Sequence, residues 1–204
     1  MISFSFLHDS TKMKYAKIIL LFVGITFLIG CVHLKPQPIF KYISWQERQA
    51  KIKKNKSWII SGTLSITHNK KRDTASFIWQ QNQDNYTINI SGPLNLSSAK
   101  ITGTAGQVEF CQSGKTCLRE PFSQFGLRLP ISNVRYWVLA LPAPAKTEAT
   151  EFDQYGHLIT LWQHGWIINY SDFQFINNVD LPGIITLQNN KFFIKLKIKR
   201  RVIK

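Results

Sequence analysis

The sequence predicts a mainly β domain of the α+β class, in which about ten antiparallel strands form a curved sheet or barrel partly covered by helices. Apolar and polar residues alternate with a period of two over several short runs, which is typical of half-buried strands. Polar turns separate successive runs, so neighbouring strands are expected to pair antiparallel. Two further runs have helical spacing, one before the first strand and one in the middle of the chain.

Residues 1–30 are not expected to belong to this domain. Three lysines precede a short apolar run at residues 18–29, and this order predicts a secretory signal peptide. The run ends in "LIGC", which resembles a bacterial lipobox, where the peptide is cut before a cysteine whose sulfur then carries diacylglycerol. We therefore expect Cys31 to be the lipidated N-terminus, residues 31–38 to be a tether and residues 39–204 to fold. An ordinary signal peptide with an incidental cysteine is the alternative.

The segment from Ile39 to Lys56 has no glycine or proline and spaces apolar residues on one helical face, so it predicts the first helix. Period-two alternation follows in "WIISGTLSI", "RDTASFIWQQ" and "NYTINIS", which predicts three strands joined by polar turns. Further strands are predicted at residues 99–104, 107–111 and 116–118.

The second half of the chain begins between two prolines with "PFSQFGLRLP", which predicts one helical turn ended by Gly126. Ser132 is then a candidate N-cap for a helix that Pro142 ends. The apolar stripe of this helix consists of Val134, Trp137, Val138 and Leu141. After an extended linker, strands are predicted at residues 149–154, 157–163, 165–171, 183–189 and 191–199.

The chain is strongly basic, with 26 lysine and arginine residues, 11 acidic residues and a net charge of +15. A lipoprotein outside the cytoplasm is not expected to meet nucleic acid. Anionic lipid headgroups are the expected counterpart, since each Lys or Arg near such a surface contributes about 1 kcal/mol. The alternative is that the charge serves solubility alone.

Two cysteines, Cys111 and Cys117, lie close together in "FCQSGKTCL". A hairpin turning at Ser113–Lys115 would set them opposite each other, and an oxidising compartment would allow them to pair, depending on the turn type. The "GKT" within this stretch invites interpretation as a phosphate loop. That motif requires a glycine where this chain has Glu109, and it requires a following helix, so we reject it.

No group of residues has the spacing of a catalytic or metal site. The histidines fall in tether, turn or strand-edge positions without metal-ligand spacing to a cysteine or a carboxylate. They are His33, His68, His157 and His164. Glu148, Glu151 and Asp153 cluster on the polar start of a strand, and these histidines and acids are expected on the solvated surface. With no G-x-S-x-G motif either, we expect no catalytic residue, no metal and no cofactor.

A series of motifs in a specific order resembles one known family. The motifs are the lipobox at Cys31, the "WQ" of the first helix, "FIWQQNQDNY", "INISGPLN", "LPISNVRYWVLALPAP", "QHGWIINY" and "LPGIITLQNNKFFIKLKI". Together they cover nearly all of the chain after the signal peptide, and they resemble the LolB family of outer-membrane lipoprotein receptors. Each motif is modest alone, but their order and spacing are specific.

The resemblance implies an open antiparallel β-barrel of about eleven strands under a helical lid, with an internal apolar cavity that holds acyl chains. It implies a monomer, lipid-anchored in the outer membrane and facing the periplasm, that accepts lipoproteins from the periplasmic carrier LolA and inserts them into that membrane. The implied partners are LolA, acylated lipoprotein cargo and outer-membrane lipid. Val32 follows the lipobox cysteine, and no aspartate associated with inner-membrane retention stands there. The alternative is an envelope lipoprotein of similar β architecture that binds another lipid or scaffolds the envelope.

The resemblance, together with strand parity, also assigns site residues, although a register error of one residue would invert a strand. The expected cavity walls are Ile60, Leu64, Phe77, Trp79, Ile88, Ile90 and Trp166, with Trp137 and Leu141 in the lid. Pro93 and Leu94 are expected in a protruding turn that inserts into the membrane. Two departures from the family are Asn95, where a glycine is usual, and Arg200-Arg201, where a tryptophan is common nearby.

Overall fold

The computed structural model of the chain describes residues 39–93, 97–104, 107–119 and 131–203. The helices in these residues are α1 (Trp45–Lys53) and α2 (Ile131–Trp137). The strands are β1 (Ser57–His68), β2 (Lys71–Asn82), β3 (Asn85–Ser91), β4 (Ser98–Gly103), β5 (Val108–Gln112), β6 (Leu118–Arg119), β7 (Ala149–Phe152), β8 (Leu158–Gln163), β9 (Trp166–Ile176), β10 (Val179–Gln188) and β11 (Phe192–Ile203). Neither described helix is long and apolar enough to cross a membrane. The predicted signal peptide, Cys31, Leu94, Asn95 and the turn at Gly126 lie outside the described residues.

All eleven strands form one antiparallel sheet in the order β6-β5-β4-β3-β2-β1-β11-β10-β9-β8-β7. β1 is central because it pairs with β2 on one side and with β11 on the other. The first six strands meander out to the β6 edge, and the last five return from the β7 edge. Within the described residues no pairing joins the two edges, so the sheet is open. The predicted mainly β class and its open antiparallel architecture are confirmed.

The connection from β6 to β7 places a helix over one face of the sheet. These two strands are opposite edges of the sheet, and the chain between them carries α2. Ile131, Val134 and Trp137 of α2 are buried. Ile131 and Val134 line the same cavity as inward residues of the strands. The helical cover expected from the sequence is therefore present.

The centre of the sheet bends at Gly62. The pairing of β1 with β11 shifts there, since Ser61 pairs with Arg200 but Gly62 pairs with Ile198. A Cβ atom at Gly62 would overlap the carbonyl oxygen of Lys197. Only glycine fits this close approach, and a bulge of this kind increases the local twist that lets a sheet curl.

Helix α1 begins later than the sequence pattern predicted. Residues 39–44 are not helical, and the helix runs only over Trp45–Lys53. Ser44 is the N-cap, and its Oγ accepts a hydrogen bond from the backbone N–H of Glu47 at 3.3 Å. A serine followed three residues later by glutamate is a capping-box pattern, so the sequence contained this start signal.

Helix α2 starts and ends differently from the prediction. Ser132 lies inside the helix, which begins at Ile131, and is not its N-cap. The helix ends before Pro142, because Ala140 takes a positive φ of 53°. The backbone N–H of Leu141 donates to the Tyr136 carbonyl at 3.1 Å, and that of Ala140 donates to the Trp137 carbonyl at 3.0 Å. These two bonds form a Schellman C-cap, with alanine in the place that glycine usually takes.

Strands β9 and β10 are longer than predicted and form a hairpin at Asn177-Asn178. Both turn residues have positive φ, 48° and 63°, as a type I′ turn requires. The second strand was predicted to begin only at residue 183, because proline at position 182 argues against a strand. The structure accommodates Pro182 opposite Phe173 within the hairpin.

A buried network of charged side chains holds α1 against the sheet. Arg48 is 2% exposed, and its Nη1 donates to Asp180 Oδ2 in β10 at 2.7 Å. Its Nε donates to the Gly156 carbonyl at 3.2 Å and its Nη2 to the Tyr155 carbonyl at 3.1 Å. The guanidinium thus joins α1 both to β10 and to the turn between β7 and β8.

His157 completes this network, so the expectation of a solvated histidine here is wrong. The side chain is 1% exposed, and its ring stacks on Phe173 with centroids 4.2 Å apart. Its Nδ1 lies 2.7 Å from Asp153 Oδ2, and its Nε2 lies 3.1 Å from Asp180 Oδ2. Burial alone would raise the pKa of Asp153, but hydrogen bonds from His157 and from nearby backbone N–H groups hold it below its ordinary value. Asp153 is therefore part of the network and not simply a surface carboxylate.

Candidate functional site

The concave face of the sheet and α2 enclose an apolar cavity of about 100 Å³. Its walls come from strands on both sides of β1 and from one face of the helix. The lining residues are Leu64, Ile66, Phe77, Trp79, Ile88, Ile90, Ile101, Ile131, Val134, Leu187, Ile194 and Leu196. Every one of these side chains is aliphatic or aromatic. A cavity of this composition stays dry and accepts apolar groups.

Five of the nine residues that the sequence assigned to a cavity line this one. They are Leu64, Phe77, Trp79, Ile88 and Ile90. In β2 the alternation is strict, because Phe77 and Trp79 are buried while Ile78 between them is 46% exposed. Strand parity and the packing of the helix together direct these side chains inward.

The other four assigned residues do not line the cavity and belong to the packed core instead. They are Ile60, Trp137, Leu141 and Trp166, all at most 3% exposed. Ile60 lies on the same face of β1 as Leu64 but further from the open end of the cavity. Trp137 Nε1 donates to Gln163 Oε1 at 2.8 Å, a bond that holds the end of α2 to β8. The sequence predicted which side chains of each strand face inward. It did not predict at which position along the strand the packed core ends and the cavity begins.

Seven cavity residues were missing from the sequence assignment. They are Ile66, Ile101, Ile131, Val134, Leu187, Ile194 and Leu196. Ile194 and Leu196 belong to the clear alternation of β11, and Val134 belongs to the predicted stripe of α2. The sequence therefore showed that these side chains face inward. That β11 pairs with β1 at the centre of the sheet, beside the cavity, was not visible in the sequence.

An open cleft of about 610 Å³ adjoins the cavity at the end that we call its mouth. Leu64, Ile66 and Ile90 line both spaces. One wall of the cleft is residues 72–75 of β2, and the facing wall includes Gly92 and Pro93 of the β3–β4 loop.

The two arms of the β3–β4 loop meet at its base. The backbone N–H of Gly92 donates to the Ser97 carbonyl at 2.8 Å, which closes the loop. Pro93 is exposed, while Leu94 and Asn95 lie outside the described residues. The base of the predicted membrane-insertion loop therefore lies beside the mouth of the cavity.

The sulfurs of Cys111 and Cys117 are bonded to each other in the structure. The disulfide joins β5 to the turn that follows it. Glu109 lies nearby, and an oxygen of its carboxylate is within 4.8 Å of both sulfurs. Two sulfurs bonded to each other are not thiolates, so this group does not form a metal site.

An open antiparallel sheet around an all-apolar cavity, covered by a helix, is an architecture suited to binding an apolar ligand. Residues 56–200 match the sequence profile of the family described as Outer membrane lipoprotein LolB. The chain belongs to the LolB family of outer-membrane lipoproteins.

Curated relatives agree with this, and a solved structure shares the fold. A relative named Outer-membrane lipoprotein LolB from Coxiella burnetii is 31% identical over 200 residues, which cover 93% of this chain and 94% of the relative. One of the same name from Nitrosococcus oceani is 32% identical over 199 residues, covering 91% and 97% of the two chains. A LolA superfamily protein from Nitrosomonas europaea has a similar fold, with a TM-score of 0.51 at 12% identity, covering 79% of this chain and 94% of that one.

Membership in this family confirms three predictions. These are the resemblance itself, the location at the outer membrane and the conclusion that the chain is not an enzyme. It also supports a role in lipoprotein localisation.

Proposed function

We propose that the protein accepts the acyl chains of lipoproteins from the periplasmic carrier LolA in the cavity beneath α2 and inserts those lipoproteins into the outer membrane. The observation that carries this proposal is the all-apolar cavity that opens beside the β3–β4 loop. Each methylene kept from water contributes about 0.8 kcal/mol, so the acyl chains of a lipoprotein cannot cross the periplasm exposed. A cavity that receives them and releases them into a bilayer meets this requirement.

The volumes of the two spaces support an entry path. The cavity itself, about 100 Å³, is smaller than the roughly 300–1,000 Å³ of ordinary ligand pockets. The adjoining cleft adds about 610 Å³ and shares Leu64, Ile66 and Ile90 with the cavity as lining residues. An acyl chain in the cleft would have polar residues such as Arg72 and Asp73 along part of its wall. It would contact apolar side chains at Leu64, Ile66 and Ile90, where the cleft adjoins the all-apolar cavity beneath α2. An envelope lipoprotein that binds another lipid would share this cavity, so the test must use acylated and non-acylated cargo side by side.

The direct test is transfer of a lipoprotein from LolA. Purified LolA loaded with an acylated lipoprotein is mixed with this chain starting at Val32, and the lipoprotein bound to each protein is measured after separation. The proposal predicts that most of the acylated cargo moves to this chain and that a non-acylated version does not bind. Equal binding of the non-acylated version would contradict it.

Cys31 is proposed as the lipidated N-terminus that anchors the protein to the membrane. A single acyl chain holds a protein only marginally, whereas several chains on one cysteine make a firm anchor. Cys31→Ser is expected to leave an unprocessed, unlipidated precursor in cells. Mass spectrometry of the mature N-terminus checks this, and a wild-type mature chain that begins at any other residue would rule it out.

Leu94 is proposed to enter the headgroup–acyl boundary when cargo is delivered. Full burial of a leucine side chain contributes about 1.5–3 kcal/mol, which biases docking without anchoring the protein. Leu94→Glu is expected to keep the fold and the acceptance of lipoprotein from LolA, while insertion into vesicles slows by about tenfold or more. Insertion is measured by flotation of the lipoprotein with vesicles.

Asn89→Glu is the matched control for the loop, because Asn89 is exposed in β3 shortly before the loop and lines neither the cleft nor the cavity, and the change adds the same charge without removing an apolar group. It should insert cargo at nearly the wild-type rate. If Leu94→Glu inserts cargo normally, or cannot accept cargo from LolA, the loop does not have the proposed role.

A further inference from the structure

Besides the β8–β9 turn, four connections lie at the same end of the sheet, and we call these four the loop end. His68 at the end of β1 pairs with both Lys71 of β2 and Phe192 of β11, so the β1–β2 and β10–β11 turns are neighbours there. The antiparallel order places the β3–β4 loop and the β5–β6 turn at the same end. The mouth cleft also opens at this end, between the start of β2 and the β3–β4 loop.

The loop end carries a concentration of exposed positive charge. Lys70, Lys71 and Arg72 lie in and directly after the β1–β2 turn. Lys115 lies in the β5–β6 turn and Lys191 in the β10–β11 turn, and all five side chains are exposed. Among the described residues of the four connections and the first three residues of β2, Asp73 is the one acidic residue.

These cations have no carboxylate partner within the described part of the chain. The ion pairs found there involve Arg48, Lys51, Arg135 and His157. Arg72 only donates to the hydroxyl of Thr67 at 3.4 Å. Lys71 and Lys191 lie on either side of the end of β1, so their backbones are about two strand spacings, roughly 10 Å, apart. Exposed cations at this spacing are available to several separate anionic groups at once.

We propose that the loop end is a docking surface for the phosphate groups of an anionic bilayer, and that it turns the mouth of the cavity toward the membrane. Cations at the end of the sheet where the apolar cavity opens match the two layers of a membrane surface, where headgroup phosphates lie above acyl chains. The role that we give to this orientation, delivery of cargo to the membrane, rests on the proposed function. Docking itself needs no cargo, so it can be measured separately.

Charge reversal at the loop end tests the proposal. The chain starting at Val32 contains both described helices and all eleven strands, so it carries the complete sheet and core. One variant combines Lys70→Glu, Lys71→Glu and Lys191→Glu. The matched control combines Lys195→Glu, Lys197→Glu and Lys199→Glu, which make the same change in net charge on the exposed outer face of β11. Arg72 is left unchanged because it lines the cleft.

Binding is measured by co-sedimentation with vesicles of phosphatidylcholine alone and of phosphatidylcholine mixed with phosphatidylglycerol. Each Lys or Arg near an anionic surface contributes about fivefold in partitioning, so the loop-end variant should lose at least about a hundredfold on the mixed vesicles. The outer-face control should lose much less, and binding of the wild-type chain should weaken as salt is raised.

Three outcomes would overturn the proposal. Equal losses for the two variants would show an effect of net charge alone. Unchanged vesicle binding by the loop-end variant would show that these cations do not contact lipid. Unchanged vesicle binding with a loss of lipoprotein transfer from LolA would make the loop end a surface for an acidic protein partner. Failure of the proposed function is seen separately, as absence of acylated cargo on the wild-type chain.

Discussion

Replacing Arg48 with methionine is expected to lower the free energy of unfolding by about 3–5 kcal/mol, because it leaves a buried carboxylate without its cationic partner. The Asp180 side chain is 4% exposed, and after the substitution its remaining hydrogen bond is the one from His157. The carbonyls of Gly156 and Tyr155 also lose their donors. Urea unfolding measures the loss as a lower midpoint with an unchanged slope.

Arg135→Met is the matched control for this prediction. Arg135 also pairs with an aspartate, at 2.8 Å, but the side chain of that partner, Asp84, is 68% exposed. Exposed pairs contribute about 0–1 kcal/mol, so this substitution should cost far less. Adding Asp180→Asn to Arg48→Met should recover part of the loss, since the uncompensated charge is then removed. Similar losses for Arg48→Met and Arg135→Met would show that the buried network does not hold α1 to the sheet.

Placing a carboxylate at Ile90 is expected to abolish binding of acylated lipoprotein. Ile90 lines both the cavity and the cleft, so the acyl chain passes it in the proposed path. Burying an ion beneath an acyl chain costs several kcal/mol, which corresponds to a loss of affinity of about a hundredfold or more. Ile90 is only half-buried without cargo, so Ile90→Glu should still fold. Retention of lipoprotein from loaded LolA measures binding.

Asn89→Glu serves as the control for this change. Asn89 is the preceding residue of β3, is exposed and points to the outer face of the sheet. The same charge there should leave binding within a few-fold of the wild-type value, and thermal unfolding should show that both variants fold. Normal binding by Ile90→Glu would mean that the acyl chain does not enter this cavity.

The strand pattern was predictable because it is local. In β11, Phe192, Ile194 and Leu196 alternate with exposed residues, and the structure has the predicted strand, which continues beyond residue 199 to Ile203. The hairpin at Asn177-Asn178 carried an equally local turn signal, but a proline in β10 obscured it. Where this hairpin was predicted too short, two local signals pointed in opposite directions and tertiary pairing decided between them.

The buried network was not predictable, because its members are far apart in the sequence. Arg48 and Asp180 are separated by 132 positions, and each alone resembles an ordinary surface charge. The position of the cavity along the strands was equally hidden. Ile60 and Leu64 have the same parity, and only the course of α2 across the sheet decides which of them meets a cavity.

Photocrosslinking from two adjacent residues of β2 tests most directly whether acyl chains occupy the cavity. Benzoylphenylalanine is placed at Phe77, which is 4% exposed and lines the cavity, or at Ile78, which is 46% exposed on the outer face. Each protein receives an acylated lipoprotein from LolA, is irradiated, and the crosslinked peptides are identified by mass spectrometry. The proposed function predicts crosslinks to the acyl chains from position 77 and none above background from position 78. Acyl crosslinks from position 78 alone, or equally from both positions, would contradict it.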